Sequence, residues 1–213
     1  MPTHGEAARA VKIVNFGCGP LPVAGAENID GSPTVLLARL PLPTAVFRSR
    51  KAFVAAVRKY NVRFGIARTI SFPNGSLDGF YTSHTLEHLA RPECVSLLSR
   101  AKRWLKPSGV LRVALPDLRR FATSYAAGEH DADEFVRSLG LAVNGSSWWS
   151  IAFGHSYHRW MYDARSLCHL LSQIGYQKIR ECAFREGAIP ELAQLDLPER
   201  KSESFYMEAE ECA

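Results

Sequence analysis

The sequence predicts an α/β domain, a mainly parallel sheet covered on both faces by helices. Short apolar runs alternate with segments of helical periodicity along most of the chain. The first run, Val11 to Phe16, passes directly into Gly17-Cys18-Gly19-Pro20, the strand-to-turn step that opens many nucleoside-binding sheets. A length of 213 residues is enough for one well-buried domain and short for two, so residues 1–213 read as a single unit.

Taken in order, Val11–Phe16 is a buried strand and Glu27–Asp30 a short second one. Between Thr44 and Tyr60, Phe53, Val57 and Tyr60 recur at helical spacing. Arg48, Arg50, Lys51, Arg58 and Lys59 in that segment form a solvated face or a patch for an acidic substrate. Phe72-Pro73-Asn74-Gly75-Ser76 is a turn into a strand at Leu77–Thr82. A helix follows over Pro92–Leu105, with Cys94, Leu97, Leu98, Ala101, Trp104 and Leu105 in one apolar stripe. Pro92 suits its first turn, Arg103 and Lys106 its last, and Pro107-Ser108-Gly109 stops it before a strand at Val110–Leu115. From Pro116 to Trp160 the pattern loosens, with a helix near Arg119–Ala127 and polar loops. Asp163 caps a helix whose Leu167, Leu170, Leu171 and Ile174 share a face, and Gly175 suits its C-terminal turn. Tyr176–Cys182 and Glu203–Glu208 are the last strands.

Composition excludes several classes. A net charge of +5 falls short of a nucleic-acid-binding signature. Five scattered cysteines without a CxxC pair point to reduced thiols in a cytoplasmic protein and lack zinc-site spacing. Met1–Ala10 holds no apolar core for a signal peptide, and no stretch approaches the roughly 18 apolar residues of a membrane span.

The residues that carry chemistry begin with Gly17 and Gly19, whose missing side chains let backbone lie against a ligand. The third glycine of a dinucleotide cradle is absent, which favours a nucleoside without a pyrophosphate over NAD. Asp30, at the end of the second strand, is placed to accept two hydrogen bonds from a ribose diol. The stretch Trp148–Trp160 joins aromatic rings with His155 and His158; His155, beside Gly154, is a candidate general base, while His158 and Arg159 lead into the next helix as structural residues. Glu87 and His88 are adjacent, so a shared ion would need a local bend, and no metal is assigned to them.

Four motifs occur in order: the Gly-Cys-Gly turn, the acidic end of strand two, Ser83-His84-Thr85-Leu86-Glu87-His88, and Leu105-Lys106-Pro107-Ser108-Gly109. Together they resemble the class I S-adenosylmethionine-dependent methyltransferases, in particular the type 11 subgroup. His158–Asp163 and Ile189-Pro190-Glu191-Leu192 look like members found with bacterial surface-polysaccharide genes. The resemblance implies a Rossmann-like, mainly parallel seven-stranded sheet, S-adenosylmethionine as cofactor, and an insertion on the acceptor side over 116–160. It places Asn15, Gly17, Gly19, Asp30, Ala67 and Ser83 at the cofactor, with His84 beside the methyl and His155 as base. Asn15 stands where many relatives carry an acid, and Ile66–Thr69 lacks the acid that meets adenine, leaving that contact to backbone near Ala67. The acceptor implied is a hydroxyl on a small molecule or a surface-glycan precursor. A non-catalytic binding module in a biosynthetic assembly and an NAD-type oxidoreductase are the alternative readings.

Overall fold

Seven strands form among the described residues: β1 (Ile13–Phe16), β2 (Ala26–Asp30), β3 (Arg63–Phe64), β4 (Leu77–Ser83), β5 (Leu105–Pro116), β6 (Gln177–Cys182) and β7 (Ser204–Glu210). The computed structural model describes residues 11–141 and 157–211. Its sheet order is β3-β2-β1-β4-β5-β7-β6, parallel throughout except that β7 runs antiparallel to both β5 and β6. The chain winds outward from β1 through β2 and β3, then returns to β4 on the other side of β1. The crevice for a ligand therefore opens above the carboxyl ends of β1 and β4, where strand order reverses.

Side chains alternate across the sheet, and both faces are covered. Val14, Phe16, Phe80, Leu111, Val113 and Leu115 join one core with α3 (Arg91–Trp104) and α6 (Ala164–Ile174). Ile13, Tyr81 and Val110 pack on the other side with Ile189, Leu192 and Leu195. A third cluster seats α1 (Pro33–Leu37) and α2 (Lys51–Lys59) through Val35, Val54 and Val57 beside Cys18. The other α-helices among the described residues are α4 (Leu118–Ala126), α5 (Ala132–Ser138) and α7 (Leu192–Leu195).

Several elements differ from the sequence reading. The segment Thr44–Tyr60 divides into a 3₁₀ stretch over Thr44–Arg50 and α2. β5 starts at Leu105, paired with Leu77, and a register shift between Leu77 and Gly79 absorbs the Pro107-Ser108-Gly109 irregularity that reads locally as a stop. α5 occupies what reads as polar loop, held by a reciprocal cap: the Asp131 carboxylate accepts from the Glu134 N–H, and Glu134 accepts from the Asp131 N–H. The second core is anchored by Arg112, wholly buried on β5, which donates to Asp196 at 2.6 Å and Glu208 at 3.2 Å. The Tyr81 hydroxyl joins it by donating to the Leu195 carbonyl. No helix among the described residues is long and apolar enough to cross a membrane.

Candidate active site

The glycine turn is held by the strand beside it. Gly17 and Cys18 donate backbone N–H bonds to the Ile29 carbonyl at 2.8 and 3.1 Å. Gly17 lies at φ +74° and Gly19 at φ +53°, the left-handed region that favours glycine. A Cβ on Gly17 would also collide with the Thr85 side chain, so turn and Thr85 are in close contact. Asp30 closes the turn from below: its carboxylate accepts from the Gly19 N–H at 2.9 Å and from the Ser32 N–H at 2.8 Å. Each oxygen keeps a further lone pair for a diol, and a Cβ on Gly19 would meet no atom within 4 Å, so the face of the turn is open to a nucleoside. The Cys18 thiol is buried, and burial together with the nearby Asp30 charge raises its pKa well above the ordinary thiol range.

Asn15 and Ala67 both lie inside the fold. The Asn15 amide is buried and donates to the Asn28 side-chain oxygen at 3.0 Å. Asn28 in turn accepts from the Val23 N–H and donates to the carbonyls of Val23 and Ala26. Asn15 thus braces the loop that follows the turn. Ala67 is buried, and its carbonyl accepts from Arg100, which also donates to the Ile70 carbonyl.

Beyond the end of β4, the chain turns sharply. Ser83 pairs with Ala114, and His84, at φ +48°, donates its N–H to the Ala114 carbonyl at 3.0 Å. His84 Nε2 lies 2.7 Å from the Ser204 hydroxyl, a partner 120 residues away. Burial, helped by the charges of Arg200, His158 and His88, lowers the His84 pKa to about 3 and keeps the ring neutral. A 3₁₀ turn over Leu86–His88 then supplies the bend that adjacent Glu87 and His88 need to act together. Glu87 is fully buried; neither carboxylate oxygen has a hydrogen-bond partner among the described residues, and burial raises its pKa to about 8. Its backbone carbonyl accepts from the Arg159 and Trp160 N–H groups at 2.7 and 3.1 Å, which draws His158 over it.

These groups line a cavity of about 460 Å³ that includes His84, Glu87, His88, Arg137, His158 and Arg200. His84, in the cavity lining, is followed by Thr85, the residue packed on Gly17. Ser83, Gly17, Gly19 and Asp30 are outside the cavity lining itself. His155, Trp148 and Trp149 lie outside the described residues. Reading the sequence misses Arg137, Arg200 and Ser204, and it takes His158 as structural. The separation of Ser204 from His84 explains why: no local pattern signals a contact made across the sheet.

The matches to known proteins agree with this geometry. Residues 9–181 match a family model described as a methyltransferase domain. The chain belongs to that family, and its fold is that of the class I S-adenosylmethionine-dependent methyltransferases. Similar solved structures include a SAM-dependent methyltransferase from Archaeoglobus fulgidus, with TM-score 0.51 and 14% identity, covering 94% of this chain and 86% of that one. A second is a possible histamine N-methyltransferase from Thermotoga maritima, with TM-score 0.55, 15% identity and coverages of 97% and 84%. A third, phosphoethanolamine N-methyltransferase 2 from Haemonchus contortus in complex with S-adenosyl-L-methionine, has TM-score 0.52 and 12% identity over 98% of this chain and 50% of that one. No curated protein matches the sequence. The protein is a methyltransferase with S-adenosylmethionine as cofactor.

Proposed function

We propose that the protein methylates a hydroxyl oxygen on a small molecule or a surface-glycan precursor. The observation that carries this reading is the polar cavity of about 460 Å³ beside His84, within the roughly 300–1,000 Å³ range of small-molecule sites. Gly17 and Gly19 let the backbone lie along the cofactor, Asp30 accepts from its ribose diol, and backbone near Ala67 meets the adenine. Asn15 serves the same site by bracing the loop behind the turn. When bound, S-adenosylmethionine would supply a methyl on a sulfonium, with S-adenosylhomocysteine as the leaving group of an in-line displacement by the acceptor oxygen.

The chain's part is alignment and proton removal. Ser83 and His84 stand at the methyl end, with His84 fixed by Ser204 so that it positions the acceptor. The hydroxyl proton passes to His155, in the acceptor-side stretch 116–160, as general base. Arg137 and Arg200 in the cavity wall favour an acceptor that carries an anionic group, as activated sugars do.

The test is incubation with S-adenosylmethionine and a panel of nucleotide-linked and lipid-linked saccharides, following S-adenosylhomocysteine release and the mass of each acceptor. Acceptor-dependent release with a new methyl ether supports the reading. A methyl found on nitrogen or carbon would overturn the oxygen assignment.

A further inference from the structure

The floor of the cavity holds a donor set that the methyl-transfer reading does not use. Glu87, His88 and His158 each bring a ligand atom within 4.8 Å of the others. The three come from two distant places: the 3₁₀ turn after β4, and the segment that leads into α6, 70 residues further on. Glu87 is the second, independent observation. Its carboxyl group is fully buried with no hydrogen bond to either oxygen among the described residues, an unsatisfied polar group that a bound cation would compensate. His158 Nε2 stands 3.9 Å from Glu87 Oε1.

The surrounding structure holds these rings as ligands are held. His88 Nδ1 lies 3.1 Å from the Tyr157 carbonyl, which can only accept, so Nδ1 carries a proton and the ring is held in place. Gly140 gives His158 its place, because a Cβ there would collide with the imidazole ring, and its carbonyl accepts from the His158 N–H at 3.0 Å. The two rings meet edge to face, centroids 5.0 Å apart. A bound first-row metal has ligand atoms about 3–3.5 Å apart, from bonds of about 2.0–2.2 Å. Closing the present spacing asks for side-chain shifts of about 1 Å, without moving the sheet.

We infer that Glu87, His88 and His158 form a site for a divalent transition-metal ion at the floor of the acceptor cavity. Two imidazoles and one carboxylate suit Zn²⁺, Mn²⁺ or Fe²⁺, and suit Mg²⁺ and Ca²⁺ poorly because those prefer oxygen. The ion's open positions face the cavity, where it would hold an acceptor oxygen; that role, unlike the binding, rests on the proposed function. The site takes the place of the metal-free reading of Glu87 and His88.

The full chain, stripped with a chelator, is titrated calorimetrically with Zn²⁺ and Mn²⁺, with Mg²⁺ as control. One ion per chain is expected, with tenfold or greater weakening in Glu87→Gln and in His158→Ala. Glu87→Gln keeps the side chain's shape, so folding is preserved and can be verified by circular dichroism. As a readout on the unaltered protein, Co²⁺ loading should give visible absorption bands of mixed nitrogen and oxygen ligation. S-adenosylhomocysteine affinity in both variants should be unchanged, which separates failure of the metal site from failure of the methyltransferase reading. No stoichiometric binding, or binding equally tight in both variants, would overturn the site.

Discussion

Asp30 holds the glycine turn: its carboxylate accepts from the Gly19 and Ser32 N–H groups, and the proposed ribose contact would use its remaining lone pairs. Asp30→Ala should weaken binding of S-adenosylhomocysteine about 10–100-fold, since each charge-assisted bond contributes roughly 1.5–3 kcal/mol. Calorimetry measures it, and unchanged affinity in a folded variant would refute the ribose contact. His155→Ala should lower turnover about 10²–10⁴-fold if the residue removes the acceptor proton. Near-normal kcat in that variant would return His155 to a structural role. His84 differs from both: fixed by Ser204 and kept neutral by burial, it is suited to placing an acceptor and not to taking its proton.

At the scale of elements, α6 and β5 make contrasting demands. Asp163 caps α6 by accepting from the Ser166 N–H at 2.7 Å, and the Asp163 N–H donates to the Ser166 hydroxyl. Those bonds favour the ionised carboxylate and lower its pKa below the ordinary 3.8. The unfolded chain therefore takes up the proton first, so the cap's contribution is present above about pH 4 and fades as pH falls through the lower folded value. Asp163→Ala should cost about 1 kcal/mol at neutral pH, read by chemical denaturation, and the gap from wild type should close in acid. On β5, Arg112→Ala leaves Asp196 and Glu208 buried beside no cation. A loss of about 3–5 kcal/mol is expected in the same experiment. A loss below 1 kcal/mol would mean that the two carboxylates become hydrated or protonated at little cost.

Across the whole molecule, cofactor binding should register as stability. A ligand at 100 times its Kd adds about 2.7 kcal/mol to unfolding, so S-adenosylmethionine and S-adenosylhomocysteine should both raise Tm, and NAD should not. The strand-helix alternation, the Gly17–Gly19 turn, the acidic end of β2 and the capped α6 were legible in sequence, because periodicity, turn chemistry and caps act over a few residues. The start of β5 at Leu105 was not, since it depends on pairing with Leu77 on a strand already in place. Nor was the antiparallel seat of β7 between β5 and β6, which completes the sheet. The cavity was the least legible part. His158 reaches Glu87, and Ser204 reaches His84, only because the sheet gathers distant loops at one end. By itself, the sequence determined the class of fold, where the glycine turn lies and which carboxylate closes it. Only the tertiary structure decided that Glu87, His88 and His158 share one cavity, because that meeting is set by strand order and long-range packing, which no local run of residues encodes.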